Sequence, residues 1–153
     1  MPFWVERTRR LRHHLSRLEV WELERFGRSG LGFVTRQPVA VLTTTGRRSG
    51  LARKTPVTVT AYEDGFLVGG GAGGQKATPD WVWNLRATPV ATLTFGPHDI
   101  RTMAVEEPDG EAREAAYAHM LSAYPSARRF EDWGERPLPL FIFRPPPDLS
   151  SSR

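Results

Sequence analysis

The apolar positions change period near residue 38, and that change divides the chain. Before it, Leu11, Leu15 and Leu18 recur at i, i+4 and i+7, with Trp4, Trp21, Leu23 and Phe26 adding apolar bulk. This is a helical period, which Gly27, Ser29 and Gly30 interrupt. After Pro38, "VAVLTTTG" (Val39–Gly46) is short and β-branched. "RKTPVTVTAY" (Arg53–Tyr62) alternates, which predicts one strand with Thr55, Val57, Val59 and Ala61 on a single face. Glu63-Asp64-Gly65 predicts a hairpin turn into a strand over Phe66–Val68. Thr78 suits a helix N-cap, Pro79 the first helical position and Asp80 the positive end of the dipole. The helix they open, "PDWVWNLRA", stops before Thr88-Pro89.

Strands follow at Val90–Phe95 and Asp99–Val105, joined by Gly96-Pro97-His98. Helices are predicted from about Gly110 to Leu121 and over Ser126–Trp133, with a last strand at Leu138–Phe143. Six short strands with long connections predict a mainly-β chain with helices (α+β), an antiparallel barrel rather than a doubly wound sheet. The expected organisation is an N-terminal amphipathic helix over 1–30, one domain over 38–146 and a loose Pro/Ser tail over 147–153.

Five glycines crowd the six residues from Gly69 to Gly74, and Gly69, Gly71 and Gly74 satisfy a G-x-G-x-x-G spacing. The context excludes a dinucleotide fingerprint. The helix signal begins at Thr78-Pro79, beyond the third glycine, and its first position is a proline with no N–H to offer. The strand that should end in a ribose-binding carboxylate ends in Phe95-Gly96-Pro97. Two readings remain: a backbone that a flat ligand can approach without a Cβ in the way, or a plain surface loop.

Composition narrows the chemistry. A length of 153 residues suits one domain with one core. No apolar run approaches the roughly 20 residues that span a bilayer, and the basic N-terminus lacks a secretory pattern, so a cytosolic protein is expected. With no cysteine, disulfides, thiolate catalysis and Cys-based zinc sites are removed together. His13, His14, His98 and His119 show no ligand spacing, and no metal is expected. A net charge of +4 is too weak to argue for nucleic acid. It suits an anionic small molecule or an anionic membrane surface equally. Arg7, Arg9, Arg10, Arg12 and Arg17 surround the N-terminal stripe. That pattern fits peripheral membrane contact, or a helix packed on the domain or on a partner subunit with its arginines in water.

The most pointed chemistry lies in "TTTGRRSGLARK", Thr43–Lys54. Gly46 and Gly50 bracket a turn whose N–H groups can converge on an anion. Arg47, Arg48, Arg53 and Lys54 add cations, and Ser49 a hydroxyl donor. Guanidinium matches phosphate bidentately. The same charges would also protect an exposed strand edge.

Taken in order, "VLTTTGRRSGLARKTPV", the turn at Glu63–Gly65, "LVGGGAGGQKATPDWVWNL", "ATPVATL" and "AYPS…W…RPLPLFIFRP" are similar to the deazaflavin-dependent nitroreductase family of actinobacteria. The resemblance runs from about Val39 to Pro145. It implies a split β-barrel of the flavin-binding type and coenzyme F420, a deazaflavin, as hydride carrier. The hydride acceptor it implies is a small organic molecule such as an enone, a quinone or a nitro compound. Carried over by position, Arg47, Arg48, Ser49 and Arg53 hold the cofactor phosphate, with Lys54 and Thr55 beside them. Gly69, Gly70, Gly71 and Ala72 lie along the ring, while Asp80, Trp81 and Asn84 complete the pocket.

Two positions depart from the family. Many members carry Ser-Lys before the paired glycines, where this chain has Gly71-Ala72. Nitroimidazole-reducing members follow Tyr-Pro-Ser with Tyr at a substrate-binding position, and here Ala127 follows Tyr124-Pro125-Ser126. Ser126 and Ala127 are the expected substrate side. Tyr124, Tyr62 and His119 are the candidate proton donors. A non-catalytic cofactor carrier and an FMN or haem binder of the same fold are the rival readings, and a homodimer is expected because split barrels often pair.

Overall fold

The computed structural model describes residues 17–21, 23–25, 37–71 and 76–147. Seven strands run in chain order as β1 (Val39–Thr45), β2 (Ala52–Thr58), β3 (Thr60–Tyr62), β4 (Gly65–Gly69), β5 (Val90–Phe95), β6 (His98–Glu106) and β7 (Leu140–Arg144). The helices are α1 (Asp80–Ala87), α2 (Gly110–Ala123) and α3 (Arg128–Gly134), with a 3-10 turn at Pro125–Ala127. All strands form one antiparallel sheet in the order β2-β1-β5-β6-β7-β4-β3.

That order requires a curled sheet. β2 and β3 stand at opposite ends of it, yet only Val59 separates them in the chain. A flat sheet of seven strands would put its edges roughly 28 Å apart at the usual strand spacing. The sheet must therefore fold back into a half-barrel. Val59 is buried, and its N–H donates to the Pro38 carbonyl at 2.9 Å. The single strand expected over Arg53–Tyr62 is thus two strands. The break also resets the alternation, so that Thr60 is buried and Ala61 exposed, whereas Ala61 was expected to share a face with Val57 and Val59, which are buried.

Each face of the sheet has its own apolar cluster. Leu42, Val57, Val68, Leu93, Ala104, Phe141 and Phe143 point inward, and α1 plugs this interior with Trp81, Val82 and Leu85. Outside, α2 lays Ala116 and Met120 on Leu67, Leu140 and Ile142. Proline 79 is the N-cap of α1, one residue later than expected.

On the outer face of β1, Val20 and Leu23 pack against Val41. The apolar side of this helical stretch is therefore Val20 and Leu23, whereas Leu18 and Trp21, expected in the stripe, are exposed. Trp4, Leu11, Leu15, Phe26, the arginines Arg7, Arg9, Arg10 and Arg12, and the tail after residue 147 lie outside the described residues. No helix among the described residues is long and apolar enough to cross a membrane.

Candidate functional site

The β1–β2 turn is built by local bonds and then pinned by α1. Gly46 donates to the Leu51 carbonyl and Gly50 to the Gly46 carbonyl, each at 2.8 Å. Gly50 has φ +70°, a conformation that glycine adopts without a Cβ penalty. Asn84, buried in α1, reaches the turn from below. Its Oδ1 accepts from the Arg47 backbone N–H at 3.1 Å and from Arg47 Nη1 at 3.4 Å, while its Nδ2 donates to Thr44 Oγ1 at 3.1 Å. A buried amide with its partners supplied fixes the turn against the helix. Asp80, one turn earlier, pairs with Arg47 at 3.3 Å.

Register decides which cations share a face. Arg53 lies opposite Thr44 and Thr55 opposite Leu42. Thr44 and Leu42 are both buried, so Arg53 and Thr55 belong to the inner face that α1 approaches. Ser49 Oγ accepts from the Leu51 N–H at 3.2 Å and from Arg53 Nη2 at 3.4 Å. Lys54 lies opposite Thr43 on the other face, where it pairs with Glu24. Among the described residues Arg48 makes no ion pair or hydrogen bond, and Arg53 bonds to no carboxylate. The structure thus joins Arg47 to Asp80 and Asn84 and Arg53 to Ser49, places Thr55 on the face of Arg53, leaves Arg48 in the turn without a hydrogen bond to the others, and puts Lys54 on the opposite face.

The glycine strand end meets α1 at Val82, across the helix from Asp80 and Asn84. Gly70 and Gly71 are buried. A Cβ on Gly70 would lie 3.0 Å from Val82 Cγ2, and one on Gly71 would lie 3.0 Å from the Phe130 side chain. A side chain at either position would crowd Val82, Pro139 or Phe130, so protein packing alone favours glycine there. Gly69 is half-buried beside Met120, and Ala72 lies outside the described residues. Trp81 is a core residue, edge-on to Phe141 with ring centroids 5.6 Å apart.

The aromatic candidates Tyr62 and Tyr124 both pack on the outer apolar cluster, against different rings. Tyr62 packs edge-on to His119, whose Nε2 lies 2.8 Å from the Ala61 carbonyl, on the outer face under α2. Tyr124 instead packs against Phe130, the residue that abuts Gly71. Ser126 is exposed, and the Ala127 methyl is buried in the outer cluster.

Two groups were invisible to sequence reasoning. Arg136 donates Nη2 to the Gly70 carbonyl at 2.9 Å and to the Ala77 carbonyl at 3.4 Å. Glu131 accepts from Tyr117 Oη at 2.7 Å and from the Leu138 N–H at 2.8 Å. Burial, reinforced by the bond to Glu131, pushes the Tyr117 phenol up to about 12. An open groove of about 590 Å³ borders this region, where the carboxylates of Asp109, Glu114, Glu131, Asp132 and Glu135 outnumber the guanidinium groups of Arg113 and Arg136 on its walls. Its negative lining is the wrong sign for a phosphate, and it lies away from the cationic turn. Among the described residues no cluster could hold a metal ion.

A curled antiparallel half-barrel, plugged by a helix that also pins a cationic turn, defines a split-barrel protein. Residues 15–145 match the family model of the F420H(2)-dependent quinone reductases, and the chain belongs to that family. It is an F420-dependent oxidoreductase, and its cofactor is coenzyme F420. Among relatives, it is 27% identical over 118 residues to the provisionally named F420H(2)-dependent quinone reductase Rv3178 of Mycobacterium tuberculosis, covering 77% of this chain and 98% of the relative. A solved F420-H2 dependent reductase (FDR-A) superposes with a TM-score of 0.62 at 28% identity, over 70% of this chain and 94% of that one. A further solved relative, a domain-swapped dimer, gives the same TM-score of 0.62 and 28% identity over 70% of this chain and 80% of its own.

Proposed function

We propose that the chain reduces quinone-type acceptors with reduced F420, and that the β1–β2 turn holds the cofactor phosphate. The observation that carries this reading is the turn itself: it gathers Arg47, Arg48 and Arg53 in seven residues, Asp80 is the one carboxylate paired with them among the described residues, and buried Asn84 fixes the Arg47 backbone. That donor set fits a phosphate. Guanidinium N–H groups and the Ser49 hydroxyl suit its oxygens, and uncompensated positive charge favours an anion. Thr55 extends the same face, and Gly69–Gly71 with α1 would border the ring. Asp80 and Asn84 act from below, holding Arg47 and the turn. In this arrangement Trp81 supports the pocket from the core rather than stacking on the ring.

F420, when bound, supplies a hydride from its C5. The protein's part is orientation and exclusion of water. Quinone reduction also takes up a proton. Tyr124, linked to Gly71 through Phe130, is better placed to donate it than Tyr62. The Ser126–Ala127 turn next to Tyr124 is the substrate side in this reading. A homodimer belongs to the same proposal, supported by the relative's domain-swapped dimer, and sedimentation of the full chain tests it.

Arg48→Ala should weaken F420 binding by about tenfold or more, the usual cost of a charge-assisted hydrogen bond. Titration of F420 against tryptophan fluorescence, with FMN as the comparison ligand, measures this. Oxidation of reduced F420 by a panel of quinones, followed with and without protein, separates an enzyme from a carrier. Unchanged F420 affinity in Arg48→Ala removes the turn from the site, and no acceleration over buffer favours the carrier.

A further inference from the structure

We propose that Arg136 is a positioning residue for the glycine segment: by bridging the Gly70 and Ala77 carbonyls it fixes the backbone that borders the cofactor ring, independently of the phosphate grip. The inference rests on the reading above that Gly69–Gly71 lie beside the ring.

Both peptide groups of Gly70 are taken by one segment of chain. Its N–H donates to the Pro139 carbonyl at 2.8 Å, and its carbonyl accepts from Arg136 Nη2 at 2.9 Å. The second hydrogen of Nη2 faces the Ala77 carbonyl at 3.4 Å. A guanidinium is a rigid planar group, so one nitrogen bonded to both carbonyls holds the Gly70 and Ala77 peptides at a set separation. Glycine is the residue that most needs such a constraint, because it loses the most backbone freedom on ordering. Val82 and Phe130 fill the space where Cβ atoms would be at Gly70 and Gly71. Gly70 and Gly71 are therefore buried against protein, and the Gly70 carbonyl is held by Arg136.

Arg136 is itself held in place. Glu135, immediately before it, closes α3 with φ +53°, a left-handed conformation that non-glycine residues adopt only at a cost. Its carboxylate pairs with Lys76 at 2.7 Å, so neighbouring residues 135 and 136 both reach back to the same segment. Two residues further on, Leu138 is fixed through both peptide groups, its N–H to Glu131 at 2.8 Å and its carbonyl to Arg113 Nη2 at 2.7 Å. Burial lowers the Arg136 pKa from its ordinary value, so its charge is partly withdrawn from water to make these bonds.

The test compares Arg136→Met, which keeps an aliphatic stem, with Arg136→Lys, which keeps the charge but not the fork. Hydrogen exchange of the Gly70, Gly71, Lys76 and Ala77 amides, equilibrium F420 binding, and KM against kcat for a quinone are read on both, with Arg48→Ala in parallel. Arg136→Met should speed exchange at these amides while the β1 and β5 amides keep wild-type protection. It should also weaken F420 by about tenfold and lower kcat with little change in quinone KM. Arg136→Lys should recover only a minor part. In Arg48→Ala, F420 affinity should fall with exchange at Gly70 and Ala77 unchanged. Wild-type affinity and exchange in either folded Arg136 variant overturn the proposal, as does weaker binding with unchanged exchange, which would make Arg136 a direct ligand. Wild-type binding by Arg48→Ala would instead overturn the reading beneath it.

Discussion

Tyr117 shows how one side chain reports on the scaffold behind the site. Its phenol donates to Glu131, which also holds the Leu138 N–H, so the Arg136 segment depends on that carboxylate staying in place. The fold favours the neutral phenol, and burial is the larger cause. A group whose pKa rises from 10.0 to about 12 on folding contributes its full stabilisation below pH 10, and loses it as pH climbs toward 12. The stability difference between wild type and Tyr117→Phe should therefore be constant from neutral pH to about pH 9 and shrink from there to pH 12. Urea midpoints across that range measure it. A difference that grows with alkali would mean that Tyr117 ionises more easily in the fold than in the open chain. Nothing local in the sequence marks Glu131 or Arg136 for these roles. The partners of Arg136 are two backbone carbonyls, 66 and 59 residues away in the chain, and every residue type has a carbonyl. Asn84 was legible only as part of a resemblance, for the same reason: its work is to satisfy a backbone N–H and a threonine on another element.

Among the elements, strand register separates cations that composition groups together. Arg53 and Lys54 are adjacent, but a strand sends successive side chains to opposite faces. Arg53 follows Thr44 to the inner face beside Ser49, whereas Lys54 meets Glu24 on the outer one. Arg53→Ala should accordingly weaken F420 binding by about tenfold, as expected for loss of a charge-assisted contact. Lys54→Ala should leave it near the wild-type value and cost at most about 1 kcal/mol of stability, the usual worth of an exposed ion pair. Paired titrations and unfolding curves check both. Equal losses of affinity would mean that the outer face of β2 also meets the ligand. The strands themselves were readable from alternation and β-branching, and α1 from its proline start. The break at Val59 was not, because the alternating pattern continues through it. What breaks the strand is a distant partner, the Pro38 carbonyl, together with the demand that the chain leave one sheet edge for the other.

For the molecule as a whole, that crossing makes the two sheet edges interdependent. β2 and β3 share one covalent link at Val59, and Val59 also belongs to the interior cluster that α1 plugs. The cationic turn hangs from the β1–β2 edge, while the glycine strand end belongs to β4, next to the other edge. A cofactor spanning both would be gripped at the phosphate by one half of the half-barrel and bordered at the ring by the other. The closure then serves binding as well as stability. Val59→Ala removes buried apolar surface and leaves a small cavity, and should cost about 1–3 kcal/mol. Its N–H to Pro38 survives the substitution, so the crossing itself is kept. If the edges are coupled as the topology requires, unfolding should remain one transition with a lower midpoint, seen identically by tryptophan fluorescence and by far-ultraviolet circular dichroism. F420 should then raise that midpoint in the variant as it does in wild type. Two separated transitions, or a variant that the cofactor no longer stabilises although it still folds, would show that the two halves act separately and that the ring and phosphate sites are not joined through Val59.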